Sequence, residues 1–263
     1  MTLSSIRDYC TVLALLLASA ACARQAPQRA IDIAAAADLN FAMQDLSREF
    51  RAQYPATAVR VAYGSSGNFF AQIRNQAPFD IFLSADVDYP RRLAQEGLAL
   101  PDSLFTYAVG RIVLWVPAQS PLDLPALKMR ALEAASVKHI AVANPEQAPY
   151  GRAAVDAMRS LGVYDRVRGK LVEGENIAQT MQFVESGSAD IGIVALSLAL
   201  APAARRSGRL WEVPLTAYPK IEQGGIILNR ARNSEAARSF RQFLLGPAGA
   251  RILKEYGFYM EGH

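Results

Sequence analysis

Short apolar runs alternate with amphipathic stretches along most of the chain. Ile31 to Ala35 predicts a buried strand, and Asn40 to Gln53 places Met43, Leu46 and Phe50 on one helical face. Val59 to Tyr63 and Asp80 to Ser84 predict further strands. Asn68 to Asn75 and Tyr89 to Gln95 predict helices, the second stopped by Gly97. A second set begins with a helix around Leu127 to Ala134 and continues with a strand at His139 to Ala143 and a helix at Gly151 to Leu161. It then runs through a strand at Lys170 to Glu173, a helix at Ile177 to Ser186 and a strand at Asp190 to Ala195. Strand followed by helix, repeated, is the pattern of parallel α/β layering. Two β-rich segments stand apart from it, Phe105 to Pro117 and Ile221 to Asn229. The closing helices, Ser234 to Leu245 and Pro247 to Tyr256, have no strand between them.

Two β crossings between two α/β sets predict two lobes. Residues 28–108 with 221–263 would form the first lobe and 109–220 the second. The site would lie in the cleft where the C-terminal ends of the strands meet. One continuous sheet is the alternative.

Four junctions in this pattern share a shape, an apolar run reaching a small or polar turn that opens into a helix. They are IDIAAAADLNFAMQDL from Ile31, VRVAYGSSGNFFAQI from Val59, HIAVANPEQAPYGRAAVDAM from His139 and KLVEGENIAQTMQFV from Lys170. The first N–H groups of a helix lack internal partners and carry partial positive charge, so several such ends can hold an anion without lysine or arginine. The same junctions also arise in any α/β protein from architecture alone. GSSG at Gly64 to Gly67 is the nearest approach to a phosphate loop. Its glycines permit a tight turn, and Ser65 and Ser66 offer hydroxyls at a helix start, one of which is accounted for by ordinary capping.

At 263 residues, with 51% hydrophobic and 20% charged residues, the chain is able to bury a full core. Its formal charge of +4 is scattered, densest at Arg205, Arg206 and Arg209, with no basic stripe of the kind that binds nucleic acid. The N-terminus reads as a signal peptide over residues 1–23: the apolar TVLALLLASAA is short for a membrane span and ends in small residues, with cleavage after Ala20 or Ala23. Cys22 stands where a lipoprotein signal places its modified cysteine, although Ser19 occupies a position usually held by leucine. Cys10 lies inside the signal, so the mature chain is left with at most one thiol and no internal disulfide.

Catalytic signatures are missing. The chain has no GxSxG, HExxH, CxxC, Walker A or GxGxxG sequence, and His139 and His263 are far apart with no motif around either. A catalytic triad and a resident metal or cofactor are therefore not expected.

AAADLNFAMQDL from Ala35, YGSSGNFFAQI from Tyr63, APFDIFLSADVDYPRRL from Ala77 and ANPEQAPYGRAAV from Ala143, with ENIAQTMQFVESGSADIGIVALS from Glu175 and the closing GPAGARILKEYGF, together resemble the molybdate-binding proteins of the periplasmic solute-binding class. The likeness spans nearly all of the mature chain. It implies a type II periplasmic-binding-protein clamshell, an ABC importer permease as partner, a monomer, and a periplasmic location. It also implies a tetrahedral oxyanion, molybdate or tungstate, held by neutral donors at Ala37, Asp38, Ser66, Tyr150 and Ile177, with Ile177 contributing only its backbone N–H.

Two positions depart from the family pattern. Asp38 stands where many relatives have serine, and unit charges 4 Å apart repel by roughly 1 to 4 kcal/mol in water-like to surface-like surroundings. Its side chain is therefore expected to turn away and cap its own helix near Asn40 or Phe41. Ala195 stands where relatives often carry a ligand tyrosine, a hydroxyl that Tyr150 is expected to replace. Asp38 also keeps phosphate open as the ligand, because a protonated oxyanion suits a carboxylate acceptor, and sulfate is a smaller alternative. A secreted α/β enzyme acting on an anionic metabolite is the reading from another class. Asp86 is expected to cap a turn, Arg152 to stay outside the anion's contacts, and Tyr107, Trp115 and Tyr218 to pack near the crossings.

Overall fold

A computed structural model describes residues 29–259; the signal-peptide residues, Cys22 and His263 lie outside them. Ten strands and seven longer helices alternate: β1 (Arg29–Ala36), α1 (Asn40–Gln53), β2 (Thr57–Gly64), α2 (Ser66–Arg74), β3 (Ile81–Ser84), α3 (Asp88–Gln95), β4 (Phe105–Gly110), β5 (Ile112–Pro117), β6 (Ile140–Ala143), α4 (Pro149–Ser160), β7 (Leu171–Gly174), α5 (Ile177–Glu185), β8 (Ile191–Ala195), β9 (Gly208–Glu212), β10 (Ile221–Ile227), α6 (Ser234–Leu245) and α7 (Pro247–Glu255). Single helical turns, among them Ala37–Leu39 and Leu196–Ala199, fill the joints.

The strands form two five-stranded sheets, ordered β2-β1-β3-β10-β4 and β7-β6-β8-β5-β9. Each is a parallel core carrying antiparallel strands delivered by the crossings. β10 runs antiparallel to β3 and β4, and β5 runs antiparallel to β8 and β9. The segment predicted as one long β run is broken at Arg111, so that β4 belongs to the first sheet and β5 to the second. The chain returns to the first sheet after β9, a strand the hydrophobic pattern did not reveal because Gly208–Glu212 is half-polar and partly exposed.

Alternation along β1 places Ile31 and Ile33 in one layer, with Leu46, Phe50, Phe240 and Leu253, and Ala34 in the other, with Phe69, Phe82 and Ile226. Phe50 stacks on Tyr54 at 4.6 Å and meets Phe240 and Phe243 edge-on, which fastens α1 to α6. At the C-terminal end of β1 the side chains shrink to alanine. Ala36, Ala37 and Ala85 of the first lobe join the hydrophobic core of the second. Small residues there let the two lobes meet at the strand ends.

Candidate anion clamp

Four helix starts converge where the lobes touch. Gly67 N–H of α2 donates to the Gln147 carbonyl just before α4, at 2.9 Å, and Asn68 Nδ2 donates to Glu175 Oε1 just before α5, at 3.1 Å. The Tyr150 hydroxyl, on the first turn of α4, donates to Asp38 Oδ2 at 2.9 Å, and α5 packs on the 37–39 turn. Ala37, Asp38, Ser66, Tyr150 and Ile177 are each at most 3% exposed.

Capping decides which helix-start donors remain. Asn176 Oδ1 accepts from Ala178 and Gln179 N–H, at 3.0 and 3.1 Å, which leaves the N–H of Ile177 at the first helical position. In the GSSG turn it is Ser65 that caps, accepting from Asn68 N–H at 3.4 Å. Ser66 Oγ accepts from Ala85 N–H at 3.0 Å, so its own proton is left to donate. The clamp thus offers backbone N–H groups and one serine hydroxyl, all neutral.

Asp38 does not cap its helix. Neither the 37–39 turn nor α1 has a side-chain cap. The carboxyl points to the interior, where Oδ2 accepts from the Tyr150 hydroxyl and from Gln223 Nε2, while Oδ1 is buried without a partner among the described residues. Two neutral donors from outside the helix outcompete the local cap. Burial pushes this carboxyl up to about 6, against the lowering pull of the Gln223 and Tyr150 hydrogen bonds and of the Asp38 and Leu39 backbone N–H groups beside it. The Tyr150 proton is therefore committed to Asp38, and burial together with the Asp38 charge holds its pKa well above the ordinary phenol value. In this arrangement Tyr150 does not offer its hydroxyl proton as a replacement for the tyrosine absent at Ala195.

Gln223, which the sequence did not single out, organises this centre. Its Oε1 accepts from the Tyr107 hydroxyl at 2.8 Å, which orients the amide so that Nε2 faces Asp38 Oδ2 and, at 3.0 Å, Tyr150. Tyr107 is thus part of the site network rather than general packing at the crossing. The register of β10 slips between Gln223 and Gly224, a bulge of the kind that re-aims a side chain beside a site. Gln-Gly-Gly inside an apolar strand was the available signal: a Cβ on Gly224 would lie 2.6 Å from Val87 Cγ2. Gly110 similarly makes room for Tyr150, whose hydroxyl would lie 2.1 Å from a Cβ placed there. Ser197, also unforeseen, donates across the lobes to the Asp38 carbonyl at 2.8 Å. Ala195 ends β8 immediately before the helical turn carrying it.

The cleft rim is charged. Asp86 Oδ1 accepts from Asp88 N–H at 2.9 Å, the expected turn, and Asp86 Oδ2 also takes Arg152 Nη2 at 2.5 Å. Arg152 reaches Tyr89 as well, at 3.3 Å, so it latches the lobes from outside the clamp. A cavity of about 300 Å³ opens there, lined by Asp86, Asp88, Asp156 and Glu222 against Arg91, Arg152 and Lys220. Its carboxylates outnumber its cations, a poor setting for a dianion. Among the described residues no cluster of His, Cys, Asp or Glu is arranged to hold a metal ion, and no helix is long and apolar enough to cross a membrane. Trp115 packs in the second core, and the Tyr218 hydroxyl accepts from Ile112 N–H at 3.3 Å beside the crossing.

Residues 31–259 match the bacterial extracellular solute-binding protein family. The chain is 37% identical to the molybdate-binding protein ModA of Azotobacter vinelandii over 95% of this chain and 97% of that one. It is 35% identical to ModA of Rhodobacter capsulatus over 98% of each. The solved periplasmic molybdate-binding protein of Azotobacter vinelandii superposes with a TM-score of 0.79 at 33% identity, covering 88% of this chain and all of that one. With two lobes closing over a shared set of helix starts, and with matches of this length, the chain belongs to the bacterial extracellular solute-binding protein family.

Proposed function

We propose that this protein captures molybdate outside the cytoplasm and delivers it to the permease of an ABC importer, with tungstate as an alternative cargo. The observation that carries the reading is the meeting of α2, α4, α5 and the 37–39 turn between the lobes, with buried, unspent neutral donors at Ser66 and Ile177. Relatives named as molybdate-binding proteins at 35% and 37% identity over nearly whole chains support that choice of anion. Backbone dipoles stabilise a dianion without a counter-charge, and donors fixed by helices from both lobes select for size. Sulfate, being smaller, reaches fewer of them at once. Closure follows from differential affinity, because donors from both lobes are satisfied together only in the closed form. Export by the N-terminal signal and action as a monomer belong to the same reading.

Equilibrium dialysis against labelled molybdate tests it. One molybdate bound per chain, displaced by tungstate and resistant to excess sulfate and phosphate, is expected. Displacement by phosphate at equal concentration would assign the clamp to a protonated oxyanion instead.

A further inference from the structure

Building on the reading of the clamp as a dianion receptor, we propose that Asp38 holds the anion as a carboxylic acid, donating from Oδ1, so that each dianion captured brings one proton from solvent into the site. The geometry assigns the proton to that oxygen. Oδ2 already accepts from the Tyr150 hydroxyl and Gln223 Nε2, and Gln223 is itself held in that orientation by the Tyr107 hydroxyl on its Oε1. Oδ1 is buried, has no partner among the described residues, and belongs to the 37–39 turn that opens into α1. A proton there leaves every bond to Oδ2 intact and turns the unpartnered atom into a donor.

Among the described residues no cation bonds this carboxyl; the Gln223 and Tyr150 hydrogen bonds and the Asp38 and Leu39 backbone N–H groups favour its ionised form, and burial outweighs them. β4 contributes Tyr107 and α4 contributes Tyr150, phenols whose pKa burial holds well above the ordinary value. β10 contributes Gln223 and the 196–199 turn Ser197. The loop before α5 brings Glu175, exposed and bonded to Asn68. Burial is the leading influence on Asp38, ahead of the hydrogen bonds from Gln223 and Tyr150. A dianion entering this pocket adds repulsion that only protonation removes. With the Tyr150 proton spent on Oδ2, the Ser66 hydroxyl and the Asp38 acid are the side-chain donors left for the anion. If Asp38 stayed ionised, its bare Oδ1 would act as an acceptor and would suit an oxyanion that brings its own proton.

Calorimetric titration of the exported chain with molybdate, in buffers of different ionisation enthalpy, reads the proton count. Near neutral to mildly alkaline pH molybdate itself carries no proton, so uptake approaching one per ion is expected, with affinity falling about tenfold per pH unit above the carboxyl's titration. Asp38→Asn carries an amide donor in place of the acid; it is expected to show no uptake, a flat pH profile and, at about pH 8, at least about tenfold tighter binding than the parent. Molybdate binding to the parent chain without proton uptake overturns the proposal alone, whatever the fate of the variant. Absence of any molybdate binding at every pH overturns the receptor reading and this proposal with it.

Discussion

Asp38 shows how far one residue's environment outruns its identity. A carboxylate at a helix start ordinarily caps it, and from sequence that role is the natural expectation. Here the residue is 1% exposed and its carboxyl is drawn to Tyr150 and Gln223, partners 112 and 185 positions away. Position was legible; orientation depended on side chains that only the closed fold brings near. The raised pKa has a sign. A group whose folded pKa lies above its unfolded value of 3.8 contributes its full stabilisation below that value and loses it as pH rises through about 6. At neutral pH the buried carboxylate therefore opposes the folded state, by up to about 3 kcal/mol for a shift of this size. Asp38→Asn is expected to raise the unfolding temperature of the ligand-free protein at about pH 7 to 8, with the gain shrinking towards pH 5. An equal gain at both ends of that range would mean the carboxyl is not buried in solution.

On the proposed reading helix starts carry the recognition, and two substitutions separate the backbone from the side chains. Ile177 occupies the first helical position after Asn176, whose φ of −147° and ψ of 173° already suit a following proline. Ile177→Pro keeps the helix and deletes one N–H. A hydrogen bond to a charged group is worth about 1.5–3 kcal/mol, so affinity for molybdate is expected to fall by roughly 10- to 150-fold, whereas Ile177→Val, which keeps the N–H, stays close to the parent. Thermal unfolding of both variants accounts for lost packing. Gly67 tests the approach of α2 to the other lobe. A Cβ there would lie 2.9 Å from the Gln147 carbonyl oxygen and 2.6 Å from its Oε1. Alanine favours an isolated helix over glycine by about 1 kcal/mol, so Gly67→Ala should leave α2 formed while weakening binding at least about tenfold. A variant that binds as tightly as the parent would place the lobes farther apart than described.

The elements themselves were largely legible, because hydrophobic period and turn residues are local. α1, α2, α4, α5 and the parallel strands fall within a few residues of their expected bounds. What the pattern missed was non-local in cause. The break at Arg111 is set by which sheet each half of the β-rich run joins, and Gln223 is turned inward by a bulge that requires Gly224 against Val87. Tyr107 reads as one more aromatic in a strand until Gln223 is placed beside it.

Over the whole molecule, the contacts that close the cleft fall into two groups. Those at the rim, Arg152 with Asp86 and Asn68 with Glu175, are partly exposed and screened. Arg152→Ala is therefore expected to change affinity by no more than about 1 kcal/mol, with the difference fading in high salt. Those at the centre are buried and depend on both lobes being in place. Small-angle scattering should accordingly show the molecule contracting when molybdate is added, and no contraction with sulfate at the same concentration. The choice between the buried clamp and the mixed-charge cavity at the rim is settled by position. Anomalous diffraction at the molybdenum edge, from crystals grown with molybdate, should give a single peak within hydrogen-bonding reach of the Ser66 hydroxyl, the Ile177 N–H and the Asp38 carboxyl. A peak among Asp86, Arg91 and Arg152, or no peak in a protein that binds phosphate in its place, would contradict it.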